Sequence, residues 1–390
     1  MTLYGLGTIL GAGIYVLIGE VAGKAGLFTP ISFLMASLIA AFTAFSYAEL
    51  SSRYPQSAGE AAYAQEAFSF RWISAAVGWS VVIIGTVSAA TIANGFVGYF
   101  NVFFNAPSLI TIATLVIALG LIAGWGITTS VTTASIITII EILGLISVIV
   151  IAGDSLSELP NRFHEFIPSW ESNAWISLAL GAFLAFYAFV GFEDIVNVAE
   201  EVKNPRKNLP IAIILALCIS TLLYLLVTLS AVLVLPPELI EGNQAPLATL
   251  FEYQGSISPK YISAISMVAV INGALIQIIM GSRILYGMGR RRMAPSIFSR
   301  VNQITRTPLV ATFFVTISIL VLALWLPLVK LAEISSFITL IVFAFMNLCL
   351  IRLKHKYPNP KDATTYPVIV PIGGFLLCIC FLVIQSLWGF

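Results

Sequence analysis

The sequence predicts an all-α integral membrane protein of about eleven transmembrane helices. It further predicts a five-plus-five inverted repeat whose first and sixth helices are discontinuous. Three observations carry this. The 390-residue chain is 59% apolar and only 9% charged, against about 25% charged for soluble domains. Its apolar residues gather into runs of the roughly 20 residues that cross a bilayer. Two of those runs, five spans apart, are interrupted by glycine, the pattern that marks a transporter binding site.

The runs lie near residues 1–22, 29–50, 72–100, 108–125, 131–152, 174–198, 210–235, 260–289, 308–328, 331–352 and 367–389. Repeat one covers about 1–152 and repeat two about 174–352, with an additional helix at about 367–389. The chain is thus a single transmembrane domain over 1–390. The first segment has no positively charged start and is followed by ten more long apolar runs. It therefore reads as a span rather than a leader.

Orientation follows from the loops, because Lys and Arg are retained on the cytoplasmic side. With the N-terminus inside, fourteen Lys and Arg fall in inner loops and four (Lys24, Arg162, Lys260 and Lys330) in outer ones. Arg283 lies within the eighth span. An N-terminus in the cytoplasm and a plasma (inner) membrane location are expected. Two connections are long: the inner "SSRYPQSAGEAAYAQEAFSFR" and the outer "PPELIEGNQAPLATLFEYQGSISPK". Both fit solvated connectors. The outer one fits a partial lid over an entry path equally well.

Composition also excludes functions. A net charge of +1 gives no whole-chain attraction to nucleic acid. Cys218, Cys349, Cys378 and Cys380 all lie in apolar runs without a CxxC pair, so buried small hydrophobes are expected rather than disulfides or metal ligands. His164 and His355 have no partner at metal-ligand spacing. No P-loop, Ser-His-Asp pattern or dinucleotide fingerprint is present. No cofactor and no metal are expected, and the chain does not read as an enzyme.

The first span breaks at "LGAG" and the sixth at "FVGFED" (Phe189–Asp194). Unwound backbone within a bilayer is tolerated only where it is buried in protein or lines a cavity. Such breaks suit a zwitterion. Free N–H groups at a half-helix N-terminus favour a carboxylate, and free carbonyls at a half-helix C-terminus favour an ammonium. The plain alternative is close helix packing, since Gly7/Gly11 and Gly19/Gly23 have GxxxG spacing. Two breaks at corresponding positions favour a site.

Four stretches, in order, are similar to motifs of the amino acid–polyamine–organocation transporter superfamily. They are "GAGIYVLIG", "YAELSSRYPQSAGEAAYAQEAF", "FVGFEDIVNVAEEVKNPRKNLP", and "SRILYGMGRRRMAP" followed by Thr307–Pro308. The resemblance covers nearly the whole chain. It implies the inverted-repeat fold, alternating access, and a substrate near mid-membrane between the first and sixth helices. Carried over by position, amides around Gly11, Ala12 and Gly13 hold the substrate carboxylate. Carbonyls of Ile9, Tyr187, Ala188 and Val190 hold its amino group. The Tyr187 ring falls where such proteins place a gating aromatic, with core packing as the alternative. Phe189 and Phe192 read as packing residues.

Glu141 lies about 15 Å into the fifth span, close to the midplane. A carboxylate there must face protein, be protonated or pair. Some relatives carry a lysine at the corresponding place, so their scheme does not transfer. Glu141 fits a proton carrier, part of a cation site, or a packed structural residue. Glu193 matches an acidic position common in the family, with an anchoring or proton-coupling role. Helix-face geometry points Asp194 elsewhere. Arg283 fits snorkelling to the inner surface, and Arg290–Arg292 a topology anchor. The implied function is secondary active transport of amino acids, by proton-linked uptake or exchange. The alternatives are an amino acid/polyamine antiporter and a non-transporting amino acid sensor. The expected partners are an amino acid, a proton and the lipid bilayer, and no nucleic acid.

Overall fold

A computed structural model describes residues 1–10, 13–56, 59–126, 131–255, 257–358, 360 and 362–389, with the backbone alone at 131 and 132. The described residues form helices joined by turns, and no strand occurs among them. The first span is two helices, Thr2–Leu10 and Gly13–Ala25. The second to fifth spans are Thr29–Arg53, Arg71–Asn101, Ser108–Trp125 and Val131–Ile151. The sixth is a helix Ser172–Phe186, a 3-10 turn Tyr187–Phe189 and a 3-10 helix Phe192–Glu201. Pro205–Val234, Pro259–Arg290, Leu309–Trp325, Leu328–Lys356 and Ile369–Trp388 complete the set.

Nine helices among the described residues are long and apolar enough to cross a membrane, one of them running from Gly13 through Arg53. Leu309–Trp325 adds a shorter apolar helix. At 1.5 Å per residue its 17 residues reach about 25 Å, enough for most of the hydrocarbon. The eleven apolar runs outnumber these helices because the second half of the broken first span runs on into the second span and Leu309–Trp325 is shorter than the rest.

Pro210 shows how the chain settles a local conflict. Within Pro205–Val234 it has no N–H for the carbonyl of Arg206 four residues earlier. The Ser52 hydroxyl donates to that carbonyl instead, at 2.7 Å. The same exchange ties the second span to the start of the seventh.

Cross-links divide the loops into two ends. At the basic end, Arg53 Nη1 donates to the Tyr357 carbonyl, Arg71 to that of Arg291 and Arg352 to that of Ala67. There Glu49, fully buried, accepts from Arg53, Lys354 and the Tyr366 amide. At the opposite end Glu333 pairs with Lys24 and Lys330, and the Gly242 amide donates to Gly19.

Neither long connection is a solvated connector. The basic-end one contains a helix, Gly59–Phe68, that buries Glu60 and Tyr63. The opposite one contains Pro237–Ile240 and Pro246–Gln254 and buries Leu247, Leu250 and Phe251 completely. Its backbone presses on Gly19 and Gly98, where a Cβ would strike the carbonyls of Asn243 and Gln244. That connection closes the opposite end over the first and third spans.

Cys349 and Cys378 are buried as expected, whereas Cys218 and Cys380 are exposed on the outside of the helix bundle. An apolar run in a bilayer protein has two dry sides, lipid and core. Burial within the protein therefore does not follow from apolar neighbours.

Candidate functional site

The two breaks meet inside the bundle. Gly13 starts the second half of the first span against Ala188, and a Cβ on Gly13 would overlap the Ala188 backbone. Gly191 has φ +130°, a conformation suited to glycine. A Cβ there would strike the Thr8 carbonyl. Both glycines are thus required by close crossing of backbones, so packing and a site coincide here.

Polar groups occupy the seam. The Thr8 hydroxyl lies 2.8 Å from the Gly5 carbonyl and 2.9 Å from that of Gly191. The Gly191 amide donates to Glu193 Oε2 at 2.8 Å, so Glu193 caps the broken sixth span from two residues downstream. The Tyr224 hydroxyl, from the seventh span, lies 2.8 Å from the Ile9 carbonyl and 3.0 Å from that of Ala188. Tyr187 reaches across to the third span, its hydroxyl 2.9 Å from Ser88 Oγ. Gln277 Nε2, from the eighth span, donates to Asp194 Oδ2 at 3.0 Å.

Of the residues expected to bind substrate, Ile9, Gly13, Tyr187, Ala188 and Val190 come together at this seam. Gly11 and Ala12 lie outside the described residues. A cavity of about 20 Å³, lined by Thr8, Ile9, Gly13, Ser88, Tyr187 and Gln277 among others, sits between the breaks. That is room for about one water.

A second cavity of about 20 Å³ adjoins it, lined by Tyr47, Glu60, Glu193, Asp194 and Gln277. Val190 and Gln277 line both. Beyond Met280 and Ile284, which line this second cavity too, a vestibule of about 780 Å³ opens beside Tyr4, Arg283, Arg290 and Arg291. The shared lining thus runs from the seam toward the basic end, whereas a cavity of about 130 Å³ at the opposite end, beside Gly23 and Glu241, shares no lining residue with the seam.

Asp194 departs from expectation. It lines the second cavity together with Glu193 instead of facing elsewhere. The cause is local: Glu193 folds back to cap Gly191, leaving Asp194 to meet Gln277. Glu60, in the loop helix outside the spans, faces the same cavity, and burial pushes its carboxyl up to about 8. Phe189 and Phe192 pack as expected, Phe189 edge-on to Tyr224 and Phe192 against Tyr47 and Phe343.

Glu141 is fully buried, and neither of its carboxyl oxygens has a hydrogen-bond partner. Arg283 is exposed to the vestibule. Sequence reading overlooked Tyr224, Ser88, Gln277 and Asn272. Each is a polar side chain inside an apolar run, a signal that favours bundle-facing positions.

Two broken helices crossing mid-bundle, among membrane-length apolar spans, fit the binding site of a secondary transporter. The "Amino acid permease" family model matches residues 1–389, and the chain belongs to that family. It is similar to the branched-chain amino acid permease BcaP of Bacillus subtilis (strain 168), with 30% identity over 99% of this chain and 86% of that protein. Similarity to the methylthioribose transporter of the same bacterium is 28% identity over 98% of this chain and 86% of that protein. Similarity to the mitochondrial cationic amino acid transporter 3 of Arabidopsis thaliana is 29% over 93% of this chain, which spans 62% of that protein. The family and these relatives are transporters, not enzymes.

Proposed function

We propose that this secondary amino acid transporter is proton-coupled and works by alternating access between the ends of its bundle. Its site is the seam of the two breaks. Amides around Gly11, Ala12 and Gly13 take the substrate carboxylate, and carbonyls of Ile9, Tyr187, Ala188 and Val190 take its ammonium. Tyr187 gates the seam, and Glu141 and Glu193 are the coupling groups. The observation that carries this reading is the Tyr224 hydroxyl on both the Ile9 and the Ala188 carbonyl. One polar hydrogen already bridges the two break carbonyls, which is the bond an ammonium would make.

The repeats cover 1–152 and 174–352. The basic end is cytoplasmic, with the N-terminus there, in a plasma (inner) membrane; the loop distribution of Lys and Arg supports this. With the vestibule at that end, the described state faces inward.

For the substrate side chain, the apolar groups of Ile92, Val190 and Ile276 around the seam cavity support a neutral amino acid. A cationic one is supported by the carboxyls of Glu193 and Asp194 in the adjoining cavity, which no Lys or Arg among the described residues lines. The names of the relatives include both kinds of cargo. Counterflow in proteoliposomes with labelled leucine and lysine tests the reading. Saturable exchange of either supports transport of that class, and absence of exchange for all twenty amino acids refutes it.

A further inference from the structure

Four polar atoms in the core have no hydrogen bond: both carboxyl oxygens of Glu141, on the fifth span, and both amide atoms of Asn272, on the eighth. Glu141 is 0% exposed and Asn272 3%. The two side chains adjoin, with no hydrogen bond of normal geometry between them. The helices carrying them also pack through Gly144 against Ile265, with the Tyr15 hydroxyl alongside.

The surroundings supply no countercharge. Among the described residues Glu141 makes no ion pair with any Lys, Arg or His. The titratable groups that face it are two tyrosines. Tyr15, from the first span, donates to the Glu141 main-chain carbonyl at 2.9 Å. Tyr224 is engaged with Ile9 and Ala188. Thr138, one turn earlier, donates to Ala134.

A buried polar atom without a partner is costly, and here the chemistry offers one remedy for all four. A carboxylic acid and a primary amide are complementary. The acid O–H donates to the amide oxygen, and an amide N–H donates to the other acid oxygen. A single added proton therefore satisfies the whole group. A metal ion satisfies oxygens only and leaves the Asn272 N–H without an acceptor.

We infer that Glu141 and Asn272 together form a proton-binding pair that joins the fifth and eighth spans when loaded. The proton arrives from water onto a Glu141 oxygen and leaves by the same bond; no other bond is made or broken. Unloaded, the carboxylate can still accept from the Asn272 N–H, but the Asn272 oxygen loses its donor, and the contact between the two spans weakens. Asn272 is a positioning residue that holds the loaded state. Tyr15, on the second half of the first span, ties the Glu141 backbone to the first break. The inference deepens the proton coupling proposed above and rests on it for its role, though not for its existence.

Two variants of the full chain separate the roles. Glu141→Gln keeps a two-bond ring with Asn272, as an amide pair, but carries no proton. Asn272→Leu removes the ring and keeps the branched shape of the side chain. Infrared difference spectra of purified protein across pH read the pair without transport. The parent is expected to show a protonated carboxylic acid band that disappears in Glu141→Gln and changes frequency in Asn272→Leu. In proteoliposomes Glu141→Gln should lose accumulation driven by a pH gradient. Asn272→Leu should move the pH midpoint by about one unit or more. An unchanged band in both variants overturns the pair, as does a parental pH profile in both. Activation by Na⁺ that Glu141→Gln abolishes would assign the site to a metal ion instead. Absence of counterflow in the parent refutes the transporter reading, while the infrared band still decides the pair.

Discussion

The hydroxyl of Tyr224 lies 2.8 Å from the main-chain carbonyl of Ile9, at the end of the first half-helix, and also reaches Ala188 on the sixth span. One side chain thus holds both broken helices from a third. Tyr224→Phe leaves two buried carbonyls without that donor, at a cost of about 1–3 kcal/mol. The unliganded variant should melt earlier than the parent. A substrate ammonium then replaces the phenol, so the thermal shift on adding substrate should be larger in the variant. Equal shifts would separate Tyr224 from the substrate site.

Gly191 tests the seam by geometry. Alanine there combines a φ of +130° with a Cβ against the Thr8 carbonyl. Strain of this kind costs about 1–3 kcal/mol before the clash is counted. Gly287, inside the eighth span with open space around its Cα, is the control. Gly287→Ala should be neutral or stabilising by up to about 1 kcal/mol. Thermal unfolding in detergent, with transport in parallel, should show loss of both stability and uptake for Gly191→Ala alone. The same overlap at Gly13 means that a bulky residue there damages packing as well as binding.

Glu60 predicts a pH dependence of stability. Burial raises its carboxyl from 4.5 to about 8, with the neighbouring Asp194 adding to the effect. The folded protein then holds a proton that the unfolded chain releases. That stability is fully present below about pH 4.5 and is lost as pH rises through about 8. Glu60→Gln should flatten the decline in melting temperature between these values, most visibly at the alkaline end. A decline as steep as the parent's would place the titration elsewhere.

Orientation is open to chemical labelling. Gly287 lines the vestibule, and its substitution meets no neighbour. A membrane-impermeant thiol reagent should modify Gly287→Cys in inside-out vesicles and spare it in right-side-out ones. The opposite pattern would invert the topology. Cys218 and Cys380, on the outside of the bundle, are replaced by serine in the background.

The spans were legible because a bilayer demands long apolar runs, and the long helices among the described residues fall where those runs lie. The break at Gly191 was legible because a glycine followed at once by Glu193 and Asp194 suits no continuous apolar helix. What joins the breaks was not. Tyr224 is 215 positions from Ile9, and Tyr187 is 99 from Ser88; no local pattern encodes such pairings. Asp194 was misplaced because a regular helix face does not describe a 3-10 segment capped by its own Glu193. The two long connections looked solvated by their polar content. Their apolar members, Tyr63 on one side and Leu247 and Phe251 on the other, are what fold them onto the bundle.

The most direct test of the seam as an amino acid site is competition with blocked substrates. Labelled counterflow is measured against an excess of the free amino acid, its α-carboxamide and its N-acetyl derivative. If main-chain amides hold the carboxylate and the Ile9 and Ala188 carbonyls hold the ammonium, only the free zwitterion competes. Equal competition by either blocked form would contradict recognition by the two broken helices.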